Sequence, residues 1–130
     1  MTLQEAQDKN IAPWDDLEQD LHGVMVYRDR FPVTPGHLLF VPEVDMPHLI
    51  QQAFALADLR GRAMIKSGQC DGYNIGINQG SAAGQTVMYP HVHLIPRRHG
   101  DCDDAVGGVR GVIAGQANYR SHTYRTPDPQ

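Results

Sequence analysis

Gly84-Gln85-Thr86-Val87-Met88-Tyr89-Pro90-His91-Val92-His93-Leu94-Ile95-Pro96-Arg97 is the stretch on which the reading of this chain turns. From Val87 to Ile95 most positions are apolar or β-branched, and Tyr89, His91 and His93 recur at every second residue. In a strand those three side chains project from one face, while Val92 and Leu94 point the other way into a core. Pro90 has no N–H to give a ladder, which puts this strand near an edge or short of backbone partners. Two imidazoles presented side by side have two uses. They can share a metal ion, or one can attack while the other donates hydrogen bonds.

Just upstream, Asn78-Gln79-Gly80-Ser81-Ala82-Ala83-Gly84-Gln85-Thr86 is a run of small and amide residues that cannot build a core. It offers backbone N–H groups, the amides of Asn78 and Gln85 and the hydroxyl of Thr86, which is chemistry for holding an anion such as a phosphate. An anion cradle leading into a histidine strand favours attack on phosphorus over metal binding.

Around this centre the periodicity predicts further elements. Gly23 to Arg28 and His37 to Val41 read as two strands joined by a turn bearing Pro32, Pro35 and Gly36. From Pro47 to Ser67 the spacing changes to 3.6, with apolar residues at Leu49, Ile50, Ala53, Phe54, Ala57, Gly61, Met64 and Ile65. This predicts a helix of five turns with Asp45 as N-cap and Gly68 as stop, covering one face of a sheet. Gly72 to Ile77 reads as the next strand. Residues 1–20 are weakly patterned: Leu3 to Ala6 suggests a frayed helical turn, and Pro13-Trp14 an aromatic ring packed against the body of the domain. Gly107 to Ile113 reads as a glycine turn entering a short β-prone run, and residues 118–130 as a tail.

A length of 130 residues predicts one domain, 1–130, with one core. A net charge of −4 without a basic stripe argues against a nucleic-acid partner. The polar, acidic first 20 residues contain no apolar run, so neither a signal peptide nor a membrane anchor is expected there. Cys70 and Cys102 have no metal-ligand spacing and read as two thiols in a reducing, cytoplasmic compartment.

Three segments together resemble the histidine triad (HIT) family of nucleotidyl hydrolases and transferases. Gly84-Gln85-Thr86-Val87 with His91-Val92-His93-Leu94-Ile95-Pro96-Arg97 is similar to the family signature, in which three histidines alternate with apolar residues and the middle one is the nucleophile. Asp29 to Pro42 resembles the family's earlier turn and histidine-bearing strand, and Tyr73 to Gly80 the strand that delivers the phosphate-site asparagine. The match covers residues 24 to 113, and the glycine turn near residue 107 is similar to an element of bacterial members. Tyr89 stands where the family has its first histidine, and Pro90 where it has an apolar residue.

The resemblance implies an α+β, HIT-like fold: an antiparallel sheet of five strands with the long helix on one face, the fifth strand having no pattern of its own here. It implies His91 as nucleophile, supported by His93 and His37, with Asn78, Gln85 and Thr86 at the phosphate and Asp29 at the ribose. The expected reaction cleaves at the α-phosphorus of a dinucleoside polyphosphate or nucleoside phosphoramidate, through a covalent nucleotidyl-histidine intermediate. It needs no cofactor and no metal, and the chain is expected to be a homodimer acting on a purine nucleotide. Two other readings stand beside this one. Tyr89 could mark a noncatalytic purine-nucleotide-binding protein with a degenerate triad, or His91 and His93 could bind a metal with His37 or His99.

Overall fold

In the computed structural model of the chain, residues 1–120 are described. The chain divides into two compact units, Met1–Arg98 and His99–Gln130. Among the described residues, every strand and both α-helices lie in the first unit. In order they are α1 (Leu3–Asp8), β1 (Leu17–Asp20), β2 (Val24–Arg28), β3 (Leu38–Pro42), α2 (Pro47–Lys66), β4 (Gly72–Ile77) and β5 (Val92–Arg97). The five strands form one sheet in the order β1-β2-β3-β5-β4, with every neighbouring pair antiparallel. This is the α+β architecture the sequence implies.

The central strand β3, Leu-Leu-Phe-Val-Pro, is buried at all five positions, as a strand covered on both faces requires. One face packs Val24, Val26, Leu38, Phe40, Val92 and Leu94 against Ala53, Ala57 and Met64 of α2. Each large side chain buried there contributes roughly 1.5–3 kcal/mol. Gly61 lets the helix lie close to β4, since an added Cβ would sit 2.7 Å from the Tyr73 ring.

The opposite face carries Tyr27, Leu39 and Val41 and is covered by Leu3, Ala6, Ala12 and Tyr89. The amino-terminal segment is therefore a third layer. It holds α1 through its N-cap: Thr2 Oγ1 accepts from the Glu5 N–H (3.1 Å) and donates to the Glu5 carboxylate (3.2 Å). Leu3 N–H to the Glu43 carbonyl and Asp45 N–H to the Met1 carbonyl stitch it to the end of β3.

Several boundaries differ from those expected. Met46, not Asp45, caps α2: Pro47 is the first helical residue and holds the residue before it extended, at φ −151° and ψ 147°. The histidine strand begins at Val92, not Val87, because Pro90 cannot join the ladder. The anticipated β-run after Gly107 is instead a 3₁₀ turn over Gly108–Val112. Gly107 (φ +88°) and Gly108 (φ +50°) turn the backbone there. Of the expected tail, residues 121–130 lie outside the described residues. Among the described residues no helix is long and apolar enough to cross a membrane.

Candidate active site

β3 and β5 lie side by side with Leu39 opposite His93, and β5 and β4 with Gly76 opposite His93. The sheet face away from α2 therefore gathers His37 just before β3, His91 just before β5 and His93 within it. Their rings are close neighbours: His37 and His93 have centroids 5.1 Å apart, as do His91 and His93. A cavity of about 490 Å³ opens over His91 and His93, walled by Trp14, Asp15, Asp16, Arg28–Phe31, Leu39, Thr86 and Val87.

The hydrogen bonds fix the ring protons. His91 Nδ1 lies 2.8 Å from the Tyr89 carbonyl oxygen, an acceptor only, so Nδ1 carries the proton and Nε2 the lone pair. His37 Nδ1 accepts from the Val33 N–H (3.1 Å), so the His37 proton sits on Nε2. That Nε2–H faces His93 Nδ1 at 2.9 Å and Asp29 Oδ2 at 3.4 Å. His93 Nδ1 is thereby an acceptor, and the neutral ring presents an N–H at Nε2. The assignment follows from partner types.

Burial lowers all three imidazoles from their ordinary range. His37 and His91 are 4% and 8% exposed, and for both desolvation outweighs the attraction of Asp29; at His91 the Tyr89 carbonyl also opposes it. His93 is brought to about 4, by burial first and by repulsion from His91 and His37 second. The three rings are therefore neutral at pH 7, and His91 keeps a lone pair on Nε2.

Tyr89 turns its side chain away from the cavity. Its hydroxyl donates to the Pro42 carbonyl at 2.6 Å, its ring packs edge-on to Trp14, and it is 2% exposed. Burial first, then the carboxylates of Asp45, Glu43 and Glu5, raise its phenol. The side chain is a post within the second core, and only its carbonyl serves His91. Tyr89→Phe should lower stability by about 1–2 kcal/mol, since it strands the Pro42 carbonyl; urea unfolding measures this.

Gln85 is buried and engaged inside its own loop. Its Oε1 accepts from the Gly80 N–H at 2.8 Å and its Nε2 donates to the Val87 carbonyl at 3.1 Å, so the amide expected at a phosphate instead braces the loop. Thr86 is exposed on the cavity wall. Asn78 follows Ile77, the partner of Val92, so the register brings its backbone alongside His91. Asp29 lies on the cavity wall; its Oδ1 accepts from the Phe31 N–H (2.8 Å), leaving Oδ2 beside His37.

Trp14 is the site residue whose position periodicity could not supply. Its ring lies 4.8 Å from that of His91. Its segment is clipped to the Arg28–Phe31 wall by Arg28–Asp16 (3.0 Å) and Arg30–Asp15 (2.9 Å), exposed ion pairs worth little individually, and by the Arg28 N–H to the Asp16 carbonyl. A lone tryptophan after a proline in a polar segment was the available signal.

Asp29, His37 and His93 offer ligand atoms within 4.8 Å of one another, which is close enough for a metal ion. The proton on His37 Nε2 opposes that use: with Nδ1 accepting from Val33, the ring would have to bind as an imidazolate.

A HIT domain is matched over residues 16–100. The chain is 32% identical over 81 residues to an adenylylsulfatase, HINT3, of Arabidopsis thaliana, covering 57% of this chain and 41% of that protein. It is 35% identical over 77 residues to an asymmetrical bis(5′-nucleosyl)-tetraphosphatase of Schizosaccharomyces pombe, covering 54% and 42%. The chain thus spans under half the length of both. The crystal structure of a zinc-bound histidine triad family protein from Mycobacterium smegmatis superposes with a TM-score of 0.62 at 32% identity, covering 77% of each chain. The matched domain leaves out the first 15 residues, with α1, and takes in the whole sheet and every histidine of the cluster: this chain belongs to the HIT domain family.

Proposed function

We propose that the chain is a nucleotidyl hydrolase or transferase acting at the α-phosphorus of a dinucleoside polyphosphate or a nucleoside phosphoramidate. The observation that carries this reading is the 2.8 Å contact of His91 Nδ1 with the Tyr89 carbonyl, which leaves the Nε2 lone pair for the cavity. In the first step Nε2 bonds to phosphorus and the leaving group departs; water then attacks the same phosphorus and frees a nucleoside monophosphate. The His93 Nε2–H, Thr86 and Asn78 are the donors for charge growing on the nonbridging oxygens, and Asp29 is the acceptor for the ribose diol. Similarity to an adenylylsulfatase and to a bis(5′-nucleosyl)-tetraphosphatase supports an adenylyl-type substrate. A purine base, a homodimer and a cytoplasmic location complete the proposal.

The noncatalytic reading loses support because the role left to the first triad position, orienting the nucleophile, is met by a backbone carbonyl that any residue supplies. A metal reading that draws on His37 loses support from its protonated Nε2. Incubating the chain with diadenosine tetraphosphate and identifying products by mass tests the proposal. Release of adenosine monophosphate is expected; binding without any product would overturn it.

A further inference from the structure

We propose that Thr34 is a positioning residue of this site: by tying its turn to β5 it aims the Val33 N–H at His37, and so sets which nitrogen of His93 carries a proton into the cavity. The proposal deepens the nucleotidyl-transfer reading and rests on it for its kinetic consequence, whereas the ring protons can be read without it.

Residues 31–36 lie exposed ahead of His37 with one exception, Thr34, which is half-buried. Phe31 and Val33 are 82% and 70% exposed, so packing does not hold the Val33 N–H in place. Thr34 is tied twice. The ladder of β3 on β5 stops with Leu38 opposite Leu94, short of Pro96, and there the Thr34 hydroxyl donates to the Pro96 carbonyl at 2.6 Å in place of a strand. The Thr34 carbonyl accepts from the His37 N–H at 3.2 Å and closes a turn. Pro35 and Gly36, at φ +89°, are the residues that a type II turn favours at its two central positions. Arg98 secures the same turn by donating to the Pro35 carbonyl at 2.9 Å. Loss of the Thr34 hydroxyl therefore leaves the turn docked and frees the peptides just before it.

Those peptides control the rings. The Val33 N–H is a donor only, so it keeps His37 Nδ1 bare and the His37 proton on Nε2. That Nε2–H faces His93 Nδ1 at 2.9 Å, which leaves the His93 proton on Nε2, where a bound phosphate needs a donor. Asp29 Oδ2 favours the same arrangement from 3.4 Å, beyond a good hydrogen bond, and its other oxygen is held by the Phe31 N–H of the same exposed segment. With the segment freed, each ring can exchange its proton through solvent from Nε2 to Nδ1. His93 then donates to His37 and turns a lone pair into the cavity. Both rings stay neutral, and the site loses a donor to the developing phosphate charge.

The test reads the imidazole nitrogen-15 signals of the full chain, which distinguish a protonated from a bare ring nitrogen, together with kinetics on diadenosine tetraphosphate. In the wild type, His37 and His93 are expected to be protonated at Nε2. Thr34→Val keeps the side-chain volume and drops the hydroxyl. It should place an Nδ1-protonated fraction in both rings, lower kcat by about 10-fold or more and change KM by less than about threefold. Thr34→Ser keeps a hydroxyl and should return the ring pattern, with kcat within about twofold of the wild type. Val33→Pro deletes the N–H at an exposed position and reads the same step if Thr34→Val does not fold.

A purely structural threonine would lower stability without moving a ring proton. Wild-type ring signals in folded Thr34→Val would therefore overturn the proposal, as would shifted rings with unchanged kcat, or a wild-type His37 protonated at Nδ1. Should Thr34→Val not fold, unchanged rings in Val33→Pro would do the same. The expected ring patterns in a wild-type chain that turns over no nucleotide would overturn the nucleotidyl-transfer reading alone.

Discussion

Replacing His91 with alanine is expected to reduce turnover of a dinucleoside polyphosphate by roughly 10⁴-fold or more, while nucleotide affinity changes only a few fold. The substitution removes the one lone pair held ready in the cavity, and with it the two-step path. No neighbour can take its place, because His93 accepts a hydrogen bond at Nδ1 and carries its proton at Nε2. The cavity walls, Trp14, Asp29, Leu39 and Thr86 among them, stay in position to hold the ligand. Steady-state kinetics with product identification, alongside calorimetric titration of the nucleotide, measures both quantities. Turnover above a tenth of the wild-type rate would defeat the assignment of His91.

The second large effect is on stability. His93 titrates at about 4 in the folded chain against ~6.5 when unfolded, and His37 and His91 are lowered as well. Between those values the unfolded chain binds more protons, so stability rises with pH across the window. The contribution is fully present above the unfolded value and is lost as pH falls through the folded one. For His93 alone the loss between pH 7.5 and 4.5 is about 2–3 kcal/mol. Urea unfolding at the two pH values measures it. Carboxylates titrate alike in the wild type and in His93→Asn, so the difference between the two proteins isolates this ring. If both lose the same stability on acidification, the cluster is not held neutral by the fold.

The alternation of His91, Val92, His93 and Leu94 encodes the most informative part of the structure. It fixes which face looks into the cavity and which into the core against α2, and β5 follows it. The stripe at Ala53, Ala57, Gly61 and Met64 is equally legible, since the spacing of a long helix repeats often enough to stand out. β1 is not legible. Leu-Glu-Gln-Asp is a short edge strand with three of four residues exposed, paired only to β2 through an irregular register, so nothing forces alternation. The N-cap of α1 could have been found in Thr2-Leu3-Gln4-Glu5, where threonine and glutamate stand three apart.

In the site, residue type identified the histidines, but partner choice was beyond it. Gln85 and Asn78 are both amides in a loop of small residues, and only the folded loop assigns Gln85 to the Gly80 N–H and Val87 carbonyl. The partner that fixes the His91 proton is a carbonyl, which no sequence pattern distinguishes.

Trp14 is the only indole in the chain, and it lies 4.8 Å from the ring proposed to bond to phosphorus. An imidazole that becomes charged next to an indole quenches its emission, whereas a neutral one does so far less. The protein thus carries an intrinsic optical probe beside the proposed nucleophile, and a stopped-flow trace could follow formation and decay of the proposed adduct without any added dye.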